Sequence, residues 1–265
     1  MRARRELALA WIVMSCLAGG LLLGGTAHAL DCGPLREMVV DHPSGMRDQY
    51  CAVVTGTPEP IPHGAWVSYD EHGRVRLEGT HDSGRREGVW RSWHANGEIS
   101  GESTFVQGRR DGRFRNWHPT GQLRLQGAVV GGVYEGNFLR WNDAGIKVSD
   151  KHYVAGKKHG PYATWYDDGT PKQLGGFKDD KEHGHWISWY PTGLKRSEGD
   201  AENGLRTGQW KFWAGNGEVL VTGQYVGREF ARDSAFRIPE GATPEEIFSP
   251  PPATGILKDV GTLLH

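Results

Sequence analysis

Polar and apolar residues alternate along short segments of this chain, and turns containing glycine separate the segments. Within Thr207–Phe230, the aromatic-rich segment Gln209–Trp213 has the composition of a strand. Asn216-Gly217 is a strong turn signal, because both residues tolerate positive φ. A second strand is predicted over Glu218–Tyr225, after which Gly227 turns the chain again. The pattern therefore predicts a β-hairpin.

The same pattern occurs seven times, with a period of 24 residues, between His63 and Phe230. Each copy has a first aromatic residue, which is Trp66, Trp90, Phe114, Phe138, Tyr162, Trp186 or Trp210. A second aromatic follows three residues later, as Tyr69, Trp93, Trp117, Trp141, Trp165, Trp189 or Trp213. A turn glycine comes four residues after that, as Gly73, Gly97, Gly121, Gly145, Gly169, Gly193 or Gly217. A fixed period of this length predicts an all-β array, an elongated antiparallel meander of hairpins that forms one twisted open sheet.

Equivalent aromatic residues are expected to form ladders, because every second strand repeats after about 9.5 Å. The two aromatics of a copy lie three positions apart, so a regular strand places them on opposite faces. Either both faces carry a ladder, or a β-bulge brings both sets onto one face. A third, incomplete ladder is expected from Phe105, Tyr153, Phe177 and Tyr225. The fixed phase of the rings favours structural packing over ligand cages.

The pattern Gly64-x-Trp66-x-x-Tyr69-x-x-x-Gly73, with its six equivalents, resembles the MORN repeat variant family over 168 residues. The second aromatic, where MORN units commonly have glycine, places the chain with the variant group. The resemblance implies an elongated twisted sheet used as a scaffold that contacts proteins or lipids. Bacterial members of the variant group often carry an antitoxin label. The hairpins are also similar to choline- and cell-wall-binding modules, most nearly at Trp165-Tyr166 and Trp189-Tyr190.

The N-terminal residues 1–29 have the pattern of a cleavable signal peptide. Arginines 2, 4 and 5 precede an apolar segment, and Ala27-His28-Ala29 fits the rule for cleavage. A lipoprotein acylated at Cys16 and an uncleaved anchor are the alternatives. The expected location is the periplasm, the outer surface or the medium.

Cys32 and Cys51 would be the two cysteines of the mature chain, and in an exported protein they predict a disulfide worth ~3 kcal/mol. Leu30–Pro62 is expected to cap the first repeat. The proline-rich segment Ala231–His265 is expected to be an extended tail, whose apolar residues Ile256–Leu264 dock on the sheet or on a partner.

Charge is nearly balanced, with 31 Lys+Arg and 32 Asp+Glu, so the sequence does not indicate a nucleic-acid partner. Basic pairs such as Arg85-Arg86, Arg109-Arg110 and Lys157-Lys158 recur at one turn position. They predict a charged sheet edge that resists strand addition, or alternatively a stripe that binds anions. The central copies carry an excess of basic residues, in which the candidate anion contacts are Arg113, Arg115, Arg124 and Arg140.

The nearest approach to a metal cluster is the set His159, His183 and His185. Equivalent positions in neighbouring copies are about 9.5 Å apart, so structural or solvated histidines are the favoured interpretation. The sequence shows no catalytic motif and predicts neither an enzyme nor a cofactor. The leading hypothesis is an exported scaffold that binds an unidentified protein partner. The alternatives are a binder of envelope glycan or lipid, and an antitoxin-like binding protein.

Overall fold

The computed structural model describes residues 29–56 and 59–233, and within them the regular structure is entirely β. The strands are β1 Arg36–Asp41, β2 Arg47–Val53, β3 Ile61–Tyr69, β4 Val75–Asp82, β5 Arg85–Trp93, β6 Ile99–Val106, β7 Arg109–Trp117, β8 Leu123–Val130, β9 Val133–Trp141, β10 Lys147–Val154, β11 Lys157–Trp165, β12 Pro171–Lys178, β13 Lys181–Glu182, β14 Gly184–Trp189, β15 Lys195–Glu202, β16 Leu205–Trp213, β17 Val219–Val226 and β18 Glu229–Arg232. No helix in this part of the chain is long and apolar enough to cross a bilayer.

Each strand pairs antiparallel with the next strand of the chain, so the predicted meander is confirmed. β13 and β14 occupy one position in the sheet, because both pair with β12 and are separated only at His183. Seventeen strand positions at a spacing of about 4.8 Å extend the sheet over roughly 80 Å.

The turn within each hairpin uses one left-handed glycine. Gly73 has a φ of 75°, its amide donates to the carbonyl of Asp70, and the Asp70 amide donates to the carbonyl of Arg74. This is a type I turn followed by a bulged glycine. The turn predicted at Asn216-Gly217 is present, and of the two residues only Gly217 is left-handed, with a φ of 88°. Asn216 instead accepts a hydrogen bond at Oδ1 from the Glu218 amide at 3.0 Å.

The turn between copies needs two left-handed residues. Ser83 and Gly84 have φ values of 49° and 82°, as a type I′ turn requires. Asp179 and Asp180 adopt the same geometry without glycine, with φ values of 51° and 67°. In the last copy Gly227 alone has positive φ, as in a type II′ turn, which explains its displaced position.

A bulge places the first aromatic ring of a copy directly over main chain. Glu78 pairs with Arg91 and Thr80 with Glu87, so three residues of β5 lie opposite Gly79 alone. A Cβ added at Gly79 would lie 2.2 Å from the Trp90 ring. The Trp90 Nε1 donates to the carbonyl of Thr80 at 3.1 Å. Glycines 175 and 199 hold the rings of Trp186 and Trp210 in the same way.

The rings and their apolar neighbours form the core of a one-layer structure. The larger buried cluster consists of Tyr162, Trp186, Ala201, Trp210, Phe212, Leu220 and Val221, and a second consists of Phe114, Val129 and Phe138. Phe177 lies 5.1 Å from Tyr162 and 5.3 Å from Trp186, measured between ring centroids, so the third set of aromatics packs between the first. The stability of the sheet therefore depends on stacking along its length rather than on a second layer.

The predicted disulfide joins Cys32 to Cys51, and Cys51 is 1% exposed. The segment expected to cap the array is an additional hairpin, β1–β2, and β2 pairs with β3. Tyr50 continues the ladder by stacking on Trp66, with ring centroids 4.5 Å apart. The predicted signal peptide, with Cys16, and nearly all of the predicted tail lie outside the described residues.

His81 occupies a ladder position that holds phenylalanine in two other copies, Phe105 and Phe177. Its ring lies 4.9 Å from both Trp66 and Trp90, and its Nδ1 is buried without a hydrogen-bond partner. Burial, assisted by the charge of Arg86, lowers the pKa of His81 to about 4. His81 is therefore neutral in the folded protein at neutral pH.

The first prediction concerns the glycines beneath the rings. Gly199→Ala should destabilise the fold by about 1–3 kcal/mol, because the new Cβ would meet the Trp210 ring at 2.3 Å. Gly215→Ala is the matched control, since nothing lies within 4 Å of its Cβ position. Its effect should stay within about 0.5 kcal/mol. Urea unfolding followed by circular dichroism checks both values, and equal destabilisation would contradict the packing argument.

The second prediction concerns acid stability. The folded pKa of His81 lies below its unfolded value of 6.5, so the stabilisation is present above pH 6.5 and is lost as pH falls toward 4. The loss should be on the order of 1–3 kcal/mol, because solvent partly screens the charge of a ring that is only partly buried. His81→Phe should flatten this part of the stability profile, because phenylalanine fits the ladder and does not titrate. Urea midpoints measured between pH 4 and 7 compare the two proteins, and unchanged acid sensitivity in the variant would refute the assignment.

Candidate functional site

The structure separates the two aromatic sets onto opposite faces of the sheet. The first aromatics are buried in copies two to seven. The third set of aromatics is contacted by Trp90, Phe138, Tyr162, Trp186 and Trp210. The second aromatics are half-buried in all seven copies. Strand alternation places them on the opposite side, where Trp165 and Trp213 contact the amines of Lys147 and Lys195. We call the first side the ladder face and the second the open face.

A row of cross-strand neighbours follows the ladder face beside the turns between copies. It pairs His81 with Arg86, Phe105 with Arg110, Val129 with Tyr134, Tyr153 with Lys158, Phe177 with Glu182, Ala201 with Arg206, and Tyr225 with Phe230. We call it the turn-edge row. Its cations lie over rings: the Cζ of Arg86 is 4.5 Å from the Trp90 ring centroid, and the Cζ of Arg206 is 4.5 Å from that of Trp210.

These basic residues are the second members of the predicted turn pairs. The prediction of a solvent-exposed charged edge therefore applies only to the first member of each pair. Arg85 and Arg109 are exposed, whereas Arg86 and Arg110 are half-buried. Burial lowers the pKa of both Arg86 and Arg110, and the charge of Arg110 lowers that of Arg86 further. His81, Arg86, Phe105 and Arg110 line an open cleft of about 510 Å³, together with Arg85, Gly84 and Gly108.

A second row of cross-strand neighbours follows the middle of the open face. In order it reads Val67, Glu78, Arg91, Glu102, Arg115, Gln126, Leu139, Asp150, Ala163, Leu174, Ile187, Glu198, Lys211 and Thr222. We call it the middle row. Its first part alternates in charge, and Arg91 bonds Glu102 at 3.0 Å. Its later part becomes apolar between Asp150 and Glu198.

That apolar part interrupts the charged pattern of the middle row. Leu174 is 49% exposed and pairs with Ala163 on one side and Ile187 on the other. On the same strands, alternation puts Trp165 and Trp189 on the same face. We call Ala163, Leu174, Ile187, Trp165 and Trp189 the apolar strip. Ions border it, since Lys147 bonds Asp150 at 3.1 Å and Lys195 bonds Glu198 at 2.8 Å.

The four arginines predicted as anion contacts do not form one site. Arg113 and Arg115 belong to the open face, by alternation with the buried Phe114. Arg140 belongs to the ladder face, where its charge contributes to lowering the pKa of the half-buried Lys151. Arg124 lies at a bulge between the residues that pair with Trp117 and Asn116. All four side chains are exposed, and they are divided by the sheet.

The three candidate metal-ligating histidines have separate surroundings. The side chain of the first residue of a copy can bond the turn at the end of the same copy. For example, Glu87 Oε2 accepts a hydrogen bond from the Gln107 amide at 2.8 Å. His159 and His183 occupy this position, and the Nδ1 of His159 lies 3.5 Å from an Asp179 oxygen. Within residues 29–56 and 59–233, no group of three His, Cys, Asp or Glu residues is arranged to hold a metal ion.

His185 lies on the open face between two carboxylates. Its Nδ1 is 2.9 Å from Asp200 Oδ1, and its Nε2 is 3.2 Å from Glu198 Oε1. The hydrogen bond with Asp200 raises the pKa of His185, and the bond with Glu198 adds to the effect. Glu198 is also bonded by Lys195, which lowers the pKa of that carboxyl. The group is thus a charge-balanced network at the end of the apolar strip.

Sequence reasoning missed a clasp between copies. In several copies the residue after the second aromatic reaches the next copy: His94 and His118 bond the carbonyls of Trp117 and Trp141 at 2.9 and 3.1 Å. Tyr166 and Tyr190 donate to the carbonyls of Trp189 and Trp213, both at 2.9 Å. The signal was present in the sequence, because a polar side chain with a ring recurs at this position. The Trp-Tyr pairs that resemble cell-wall modules are thus part of the clasp.

A short segment of the chain matches a known protein family. Residues 86–107 match the family model described as MORN repeat variant, which corresponds to one hairpin of the array. Comparison with the curated proteins finds no match to the chain. The other copies have the same 24-residue spacing, the same strand pairing and the same turn glycines. The family is not one of known enzymes and is often involved in binding. The chain is thus a repeat protein in which one hairpin matches the MORN repeat variant family, and it is assembled from seven copies of that hairpin and an additional N-terminal hairpin.

Proposed function

We propose that the protein is an exported, non-enzymatic scaffold that binds a protein partner through the apolar strip of its open face. The single observation that carries the proposal is the change along the middle row. Charged neighbours that pair with one another give way to Ala163, Leu174 and Ile187, beside two half-buried tryptophans. Aromatic and aliphatic side chains ringed by charged groups are the composition of a protein-binding patch.

The two faces differ in how much aromatic surface they leave exposed to solvent. On the ladder face the first aromatics are buried against glycine and against one another, so their surface is already used. On the open face the second aromatics remain partly exposed in every copy. A partner that covers the apolar strip would bury aromatic surface that the fold itself leaves exposed, at about 25 cal/mol per Å² of apolar area.

Export is supported by two features of the chain. The segment before residue 30 has basic, apolar and small-residue regions in the order of a signal peptide. The Cys32–Cys51 bond is the kind of link that persists in oxidising compartments. A scaffold in the envelope or outside the cell fits both features better than an antitoxin that acts in the cytosol.

The third prediction tests the strip by site-specific photocrosslinking. A benzoylphenylalanine at position 174 should capture one defined protein in cells of the source, whereas the same probe at Glu78, in the charged part of the middle row, should not. Leu174→Lys with Ile187→Lys should reduce native capture about tenfold or more, because both charges would have to be desolvated in the interface. The unfolding midpoint of this variant should change little, since the side chains are incompletely buried.

Thr222→Lys, in the same row beyond the strip, is the matched control and should capture as well as the wild type. Equal capture from positions 174 and 78, or undiminished capture by the lysine variant, would refute the strip as the binding surface. Sedimentation of the protein with purified cell wall or with liposomes, sensitive to the same variant, would instead assign the strip to a glycan or a lipid.

A further inference from the structure

The turn-edge row of the ladder face differs in charge between its two halves. In the C-terminal half, Glu182 lies between Lys158 and Arg206 in successive repeats. Burial raises the pKa of Glu182, and the positive charges of Arg206 and Lys158 oppose that rise. In the N-terminal half the equivalent positions hold Arg86 and Arg110, followed by Tyr134. There the row contains two cations and no carboxylate of its own.

Neighbouring acids do not compensate Arg86 and Arg110. The carboxylates of Glu87 and Asp111 face away by strand alternation and accept the amides of Gln107 and Gly131 at 2.8 and 3.0 Å. Within the described part of the chain, neither guanidinium forms an ion pair within 4.0 Å or a side-chain hydrogen bond. Two half-buried guanidinium groups, each with five N–H donors, are therefore left without an anion.

The rings hold these arginines in a binding geometry. The Cζ of Arg86 lies 4.5 Å from the Trp90 ring centroid and 5.4 Å from that of Phe105, and the Cζ of Arg110 lies 5.2 Å from that of Phe114. A guanidinium that rests flat on a ring keeps its N–H edge available for a carboxylate. The open cleft gives access, because its turn residues Gly84 and Gly108 have no side chains.

The spacing of the two arginines determines the ligand. Equivalent side chains in successive copies are about 9.5 Å apart at the backbone, which is too far for one small oxyanion to bond both fully. A peptide in the polyproline II conformation has three residues per turn and a rise of about 3.1 Å per residue, so its side chains i and i+3 lie on the same side, about 9 Å apart. Phe105 lies between the arginines and offers an apolar surface to the intervening residues. The carboxylate of Glu182 shows that this row accommodates such a group.

We propose that the cleft formed by Arg86, Phe105 and Arg110 binds an acidic peptide segment in the polyproline II conformation, with two carboxylates three residues apart. The site is on the face opposite the apolar strip and is independent of it. Each carboxylate takes the place beside a row cation that Glu182 fills in the C-terminal half. The exposed Arg85, which also lines the cleft, adds positive charge and attracts the segment.

The fourth prediction is tested by fluorescence anisotropy with the full protein. The probe is a fluorescein-labelled, acetylated hexapeptide, Gly-Glu-Ala-Ala-Glu-Gly. Arg110→Glu should raise its Kd about tenfold or more, because the variant removes one cation and supplies an internal carboxylate to Arg86. Binding of the wild type should weaken as ionic strength rises from about 0.05 M to about 0.5 M. The Glu182 position shows that the row accepts glutamate, and circular dichroism verifies the fold of the variant.

Arg113→Glu is the matched control, because it makes the same change of charge on the opposite face and should leave the Kd within about twofold. A peptide with one glutamine in place of glutamate should bind more weakly, and one with two should not bind. Equal binding by Arg110→Glu and the wild type would overturn the site. Inorganic phosphate that displaces the hexapeptide at equal concentration would overturn the assignment to a ligand with two carboxylates. Neither outcome depends on photocrosslinking at position 174.

Discussion

Direct contact between an aromatic ring and glycine main chain is the interaction on which the rest of this structure depends. Trp90, Trp186 and Trp210 each lie where a single Cβ on the neighbouring strand would be. The ring can approach so closely only because a bulge after a left-handed glycine, such as Gly88 with a φ of 68°, turns it over the adjacent strand. A one-layer sheet thereby buries large apolar groups without a second layer.

The size of the first aromatic ring depends on the residue of the preceding copy that lies beneath it. Where the position equivalent to Gly79 holds Ser103 or Lys151, the next first aromatic is the smaller Phe114 or Tyr162. Phe138 lies over Gly127. In copies two to seven, tryptophan therefore occurs only over glycine, whereas glycine also occurs beneath phenylalanine. The copies are therefore adjusted in pairs, because one copy supplies the main chain and the next supplies the ring. An array of this kind is stable as a stack of neighbours rather than as separate units.

Packing on one face determines what the other face can do. On the ladder face the glycines, the first aromatics and the third aromatics pack against one another. The second aromatics are not part of this packing and lie half-buried on the open face. The residues that vary between copies then determine the charge and the polarity of each row. In the middle row they produce a charged part and an apolar part, and in the turn-edge row they produce a self-compensated half and a half with uncompensated arginines.

The sequence by itself determined the hairpin, its period, its turn glycines and the disulfide, because these depend on local geometry and on residues at fixed spacing. It left open whether the two aromatic sets share a face, since that depends on bulges that form only when neighbouring strands pair. It also grouped Arg113, Arg115, Arg124 and Arg140, which are close in the chain, although alternation and register divide them between faces. Only the tertiary structure decided the rows, because a row joins one residue from each strand, and its members are neighbours only after every strand has found its register.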